Sequence, residues 1–244
     1  MELVKQKAII EMQDFCEFNE SYGLMLLRHI ERAGRTCYKS EDKNLNNNFE
    51  ITKRFIEKIV KSGHHSVLEH TNITVRLITN RGTTHELVRH RLASYSQEST
   101  RYCNYGSNHV KFIIPHWITS DISEGLIYNN KHELDNDENK YTLNEFRWLC
   151  VMFNCEDNYK YLIDVNMPPQ DVRGVLPIDL KTEIVMTANL REWMHVFRMR
   201  CSPKAHPQIR NLMLDLLNQF HNAIPIIYND LWEEFYHRKT ITKE

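Results

Sequence analysis

Seven glycines in 244 residues leave few of the tight turns on which a doubly wound nucleotide-binding sheet depends, and none of them stands in GxGxxG or GxxxxGK[ST]. With neither a dinucleotide fingerprint nor a P-loop, a phosphate-bearing ligand has to be gripped by Arg and Lys side chains and by helix N-termini. Lys plus Arg number 31 against 32 Asp plus Glu, a formal charge of -1, so the global basic field of a non-specific nucleic-acid binder is absent. Any anion site is a local cluster. The 41% hydrophobic content suits a globular chain, and the absence of an internal linker points to one domain spanning 1–244. No run approaches the ~18 apolar residues of a membrane span. The charge-interrupted start lacks a signal-peptide core, so a cytoplasmic protein without a membrane partner is expected. Cys16, Cys37, Cys103, Cys150, Cys155 and Cys201 contain no CxxC pair and read as reduced, structural thiols.

Residues 49–61 place Phe55, Ile56, Ile59 and Val60 on one helical stripe that Gly63 ends. In NITVRLIT, Ile73, Val75 and Leu77 alternate with Asn72, Thr74 and Arg76, the period of a strand with one buried face. Thr83 and Glu86 form a T-x-x-E pair that predicts a helix running through ELVRHRL. Residues 129–140 read as a polar loop or polar helix start, followed by a long helix to about Asp164. KTEIVMTA reads as a strand, and Asn189 with Glu192 caps a helix in which Trp193 and Phe197 share a face. Ile209, Leu212, Met213, Leu216, Leu217 and Phe220 trace the apolar stripe of the last long helix. Helices mixed with isolated strands predict an α+β fold, a mixed or antiparallel sheet packed with long helices, plus helical extensions.

Chemistry concentrates in RHRLASYSQESTRY, residues 89–102: three arginines, a histidine, three serines and a threonine. On a helix opened by Thr83, Glu86 and Arg89 share a face while Arg91 points elsewhere. A surface helix with internal ion pairs would look similar, but three arginines meet only Glu86 and Glu98, which leaves positive charge for an anion. Arg173, Asn189, Arg191, His195, Arg198 and Arg200 repeat the theme, with Arg191, His195 and Arg198 on one polar face that carries no acid after Glu192. GHHSVLEH lacks the spacing of a helical zinc site, since His65 and His70 fall about 140° apart around a helix, and no metal is expected. Ser99 is not in a GxSxG elbow.

Arg89-His90-Arg91, seven residues and then Ser99 resembles the RHRx7S motif of the flavin-dependent thymidylate synthases, and the longer RHRxxSxxxxSxRY is complete through Ser94, Ser99, Arg101 and Tyr102. The likeness extends to GHHSVLEH, RGVLP and TANLREWMHVFRMRCSPKAHPQIR. It implies reductive methylation of dUMP to dTMP, with 5,10-methylenetetrahydrofolate as carbon donor and NADPH as reductant through bound FAD, in a homotetramer whose flavin sites lie between subunits. Residue by residue, it places Ser66, Arg89, His90, Arg91, Gln97, Asn189, Leu190, Arg191 and His195 at the flavin, with His64 near it. It places Glu86, Leu87, Val88, Arg89, Gln97, Glu98, Ser99, Thr100, Arg101, Arg173 and Arg200 at dUMP. Arg200 and Ser99 are the expected catalytic residues, the arginine assisting ionisation at N3 of the pyrimidine. Gln97 stands where the family often has glutamate, and His195 where some relatives have asparagine. Cys201 follows Arg200, but the resemblance assigns it no nucleophilic role. From another class, a nucleic-acid-binding module could use the arginines with Tyr95, Tyr102 and Tyr105 as a stacking platform; the near-neutral charge weighs against it.

Overall fold

The structure, a computed structural model, describes residues 1–12, 17–39 and 49–237; Cys16 lies outside them. In chain order the elements are β1 (Glu2–Val4), β2 (Lys7–Glu11), α1 (Glu20–Tyr38), α2 (Phe49–Lys61), β3 (Asn72–Asn80), α3 (Arg81–Leu87) and β4 (Ala93–Gln97). There follow β5 (Lys111–Ile113), β6 (Leu126–Ile127), α4 (Lys131–Asn136), α5 (Leu143–Asp164), α6 (Pro169–Val172) and β7 (Lys181–Asn189). The chain continues with α7 (Leu190–Arg200), α8 (Pro207–Ala223) and α9 (Pro225–Trp232). Among the described residues, two sheets, ordered β5-β1-β6 and β2-β3-β7-β4, accompany these helices, so the α+β class holds. In the smaller sheet β1 runs parallel to β5 and antiparallel to β6. Among the described residues no helix is long and apolar enough to cross a membrane.

Two compact units share the chain. The first is Met1–Lys7, Leu77–Arg89 and Ser96–Ile184; the second is Ala8–Arg76, His90–Tyr95 and Val185–Glu244. The first unit is organised on Leu3, Phe112, Leu149, Met152 and Tyr159, all buried. Its α5 opens with a closed capping box: Thr142 accepts from the Glu145 amide, and the Glu145 carboxylate accepts from the Thr142 amide. In the second unit the stripes of α7 and α8 meet in an aromatic cluster, with Phe220 centred 5.3 Å from Trp193, 5.2 Å from Phe197 and 5.2 Å from Tyr228. Gly23 of α1 lies so near α8 that a Cβ there would sit 1.9 Å from the Ala223 carbonyl oxygen, so only glycine allows this approach.

Strands β3 and β7 follow the period-two pattern, Ile73, Val75 and Leu77 being buried in the one and Ile184, Met186 and Ala188 in the other. Helix α2 buries Ile56 and Ile59, and Gly63 beyond it adopts φ of +72°. Around the arginine-rich motif the structure corrects the expectation. Asn80, not Thr83, caps α3, its side chain accepting from the Thr83 amide, and the helix stops at Leu87. Arg89, His90 and Arg91 therefore lie on a connector, and Ala93–Gln97 form a strand. Leu87, Val88 and Leu92 imitate a helical stripe, but Leu92 is 74% exposed and nothing rewards continuing the helix. The Tyr95 hydroxyl instead donates to the His90 carbonyl at 2.7 Å, fixing the connector against the start of β4.

Candidate active site

The expected site residues divide between the units, and the boundary falls between Arg89 and His90. In the first unit, Glu86 and Leu87 end α3, and Val88 and Arg89 are exposed on the connector. Because the helix ends at Leu87, Glu86 and Arg89 do not share a helical face. Gln97 donates through its side-chain amide to the hydroxyls of Thr84 (2.9 Å) and Thr182 (3.3 Å), which ties β4 to α3 and β7. The Glu98 carboxylate accepts from the Tyr105 hydroxyl (2.7 Å) and Lys181 (3.2 Å), so its charge is compensated within the protein. Burial, and then the bond to Glu98, push the Tyr105 hydroxyl well above its usual pKa. Ser99 heads a turn, its carbonyl accepting from the Tyr102 and Cys103 amides and its hydroxyl from the Arg101 amide.

Thr100 is buried, and the Arg173 guanidinium reaches its hydroxyl at 3.5 Å. Both residues line a cavity of about 390 Å³ together with Arg81, His85, Gly174 and the 176–180 loop. One terminal nitrogen of Arg81, Nη1, is buried without a hydrogen-bond partner. A guanidinium N–H withdrawn from water and left unpaired is costly. Sequence reasoning missed Arg81 and His85; the one sequence signal was Asn80, a good N-cap that sets Arg81 on the first turn of α3.

The second unit holds Ser66, His90, Arg91, Asn189, Leu190, Arg191, His195 and Arg200. Ser66, Arg91, Arg191 and His195 are exposed, as is His64. Asn189 and Leu190 do structural work: Asn189 caps α7 by accepting from the Glu192 amide, and the buried Leu190 donates its amide to the Thr71 carbonyl at 3.0 Å. Arg191 has an acidic partner that the sequence reading did not foresee, Glu69 of GHHSVLEH. Both are about half exposed, so the pair is worth ~0–1 kcal/mol and leaves Arg191 accessible to a ligand.

Arg200 Nε donates to His90 Nε2 at 3.0 Å, while His90 Nδ1 faces the Glu192 carboxylate at 3.7 Å and the His195 ring stands edge-on, 5.5 Å away between centroids. Burial, reinforced by the Arg200 and His195 charges, pushes His90 down to about 4, so the ring is neutral at physiological pH. Burial raises Glu192, and it pushes Tyr95, with the Glu192 charge adding, up to about 12. One ligand atom from each of His90, Glu192 and His195 falls within 4.8 Å of the others. A divalent cation there would meet the Arg200 guanidinium already bonded to His90, and that fixed positive charge opposes it.

The stacking-platform alternative loses two of its three rings. Tyr95 and Tyr105 are half-buried and held by their hydroxyls; Tyr102 alone is broadly exposed, at 79%, beneath the Arg101 guanidinium. Cys201 is fully buried against the end of α7, poorly placed to attack a substrate.

Comparison with known proteins supplies the family. The profile described as thymidylate synthase complementing protein matches residues 26–226, across both units. A flavin-dependent thymidylate synthase of Geobacter sulfurreducens is 32% identical over 206 residues, covering 82% of this chain and 80% of that one. The protein of the same name from Mycolicibacterium vanbaalenii is 34% identical over 202 residues (82% and 78%), and that from Corynebacterium glutamicum 32% identical over 202 (82% and 78%). With its RHRx7S connector and both arginine clusters within the matched span, the chain belongs to the flavin-dependent thymidylate synthases, enzymes of the transferase class that make dTMP.

Proposed function

We propose that this enzyme converts dUMP to dTMP with 5,10-methylenetetrahydrofolate as carbon donor and NADPH as reductant, using FAD held between subunits of a homotetramer. The observation that carries the reading is the cavity of the first unit, lined by Arg81, His85, Thr100 and Arg173, with the Arg173 guanidinium 3.5 Å from the Thr100 hydroxyl. Such a pocket fits a phosphate monoester, which two guanidinium forks neutralise with charge-assisted bonds. The substrate set proposed is Glu86, Leu87, Val88, Arg89, Gln97, Glu98, Ser99, Thr100, Arg101, Arg173 and Arg200. Because the Gln97 amide and the Glu98 carboxylate have internal partners, they act chiefly by shaping the 97–101 turn.

The donors of the second unit suit the cofactor. Ser66, Arg91, Arg191 and His195 lie exposed, as a group gripped between subunits requires, while the buried, neutral His90 serves the site through the bond its ring accepts from Arg200. Arg89, Gln97, Asn189 and Leu190 complete that set, the last two by holding the start of α7. When bound, the flavin supplies the redox chemistry that no side chain can. Arg200, oriented through Nε by His90, faces the N3/O4 edge of the pyrimidine and stabilises the charge that develops as C5 becomes nucleophilic. Ser99 sits beside the reacting base. The chain acts as a single domain in the cytoplasm, and the family match spans both units.

Purified protein is then yellow, and without oxygen it oxidises NADPH in the presence of methylenetetrahydrofolate only when dUMP is added. Arg81→Ala and Arg173→Ala each raise KM for dUMP by about 10- to 100-fold, the range for one lost charge-assisted contact. Oxidation indifferent to dUMP, or an unchanged KM in both variants, contradicts the assignment.

A further inference from the structure

We propose that Glu192 is a positioning residue that fixes which nitrogen of His90 carries its proton and thereby aims Arg200. Glu192 occupies the third position of α7, where a glutamate ordinarily reaches back to close a capping box, as Glu145 does in α5. Asn189 makes its half of that motif, accepting from the Glu192 amide at 2.8 Å. The Glu192 carboxylate instead turns inward, 7% exposed, to face His90 Nδ1 at 3.7 Å.

Donor chemistry settles the rest. A guanidinium can only donate, so the 3.0 Å bond from Arg200 Nε requires a bare lone pair on His90 Nε2. A neutral ring whose Nε2 is bare carries its proton on Nδ1, the nitrogen facing Glu192. The carboxylate field favours that tautomer, and a small side-chain rotation closes 3.7 Å to a hydrogen bond. In the other tautomer two donors would confront each other and Arg200 would be displaced.

Among the described residues, Glu192, His195 and Arg200 of α7 and Tyr95 of β4 face His90. Only Glu192 among them offers Nδ1 a carboxylate acceptor, while Tyr95 anchors the His90 backbone. With Nε held, the guanidinium plane is set, and with it the direction in which the terminal N–H groups meet a ligand. The catalytic consequence rests on the reading that Arg200 contacts the pyrimidine; the tautomer does not.

The test uses the flavin-loaded enzyme with histidine-selective 15N labelling, His90 being assigned through the signals lost in His90→Asn. In the wild type His90 is protonated on Nδ1. Glu192→Leu brings in the Nε2-protonated form and lowers kcat about 10- to 100-fold, the scale of a misaimed catalytic group, with a smaller change in KM for dUMP and full flavin content. Glu192→Gln, whose amide oxygen still accepts from Nδ1, keeps the tautomer and restores most of the turnover. Wild-type His90 protonated on Nε2 overturns the relay, as does a Glu192→Leu variant that keeps both tautomer and turnover. Should Glu192→Leu not fold, the wild-type tautomer and the Gln variant decide. A protein that makes no dTMP defeats the proposed function and leaves the tautomer measurement, taken without substrate, to judge the relay.

Discussion

Arg200 and Cys201 are neighbours with opposite expected roles, and their surroundings explain why. Arg200 is half-buried at the end of α7, with Nε held by a neutral imidazole. On the proposed mechanism its contact strengthens as charge develops on the pyrimidine, an effect typically worth ~3 kcal/mol. Arg200→Ala therefore retains flavin but loses about 100-fold in dTMP formation; turnover within a few-fold of wild type removes Arg200 from the chemistry. Cys201 has its side chain in the core. Cys201→Ser, at a fully buried position, should cost some stability and little activity. A denaturation-stable adduct between Cys201 and the pyrimidine, absent in the serine variant, would move the mechanism to covalent activation.

Among the elements, α5 depends on one carboxylate. Glu145 accepts from the Ser120 hydroxyl and from the Thr142, Ser120 and Thr119 amides, and these bonds, the Ser120 hydroxyl first, hold its pKa well below the usual carboxylate range. A depressed folded pKa means that its stabilisation is fully present above the unfolded value near 4.5 and fades as pH falls toward the folded one. Glu145→Gln should lower Tm at neutral pH, with the gap to wild type narrowing below about pH 4.5; a gap that widens on acidification contradicts this. Elements whose side chains repeat regularly were legible in the sequence: the alternation of Ile73, Val75 and Leu77, and the Ile209-to-Phe220 stripe. Strand β4, ASYSQ, was not, because its residues carry no apolar alternation, and β1, β5 and β6 are too short for a period to show. The α3 helix was overextended because Val88 and Leu92 sit at helical spacing without entering a core. Within the site, the residue types at Arg173 and Arg200 announced an anion. The unpaired Arg81 donor and the inward turn of Glu192 are tertiary facts, and the spacing of Glu192 read as an ordinary cap.

At the scale of the whole molecule, the exposure of Ser66, Arg91, Arg191 and His195 explains why a cofactor held between subunits suits this chain. On the proposed assembly flavin and tetramer stand or fall together: replacing Arg89 and Arg91 by alanine should yield protein purifying with little flavin. Retention of a full flavin complement would misplace both residues. The central claim is a carbon transfer to a nucleotide, and one measurement reads it directly. Yellow wild-type protein is supplied with dUMP, NADPH and methylenetetrahydrofolate labelled with 13C at the methylene, and the nucleotide product is examined by mass spectrometry and NMR. The account predicts dTMP carrying the label in its C5 methyl group, formed only when all three substrates are present; unlabelled nucleotide recovered unchanged from active, flavin-loaded protein would contradict it.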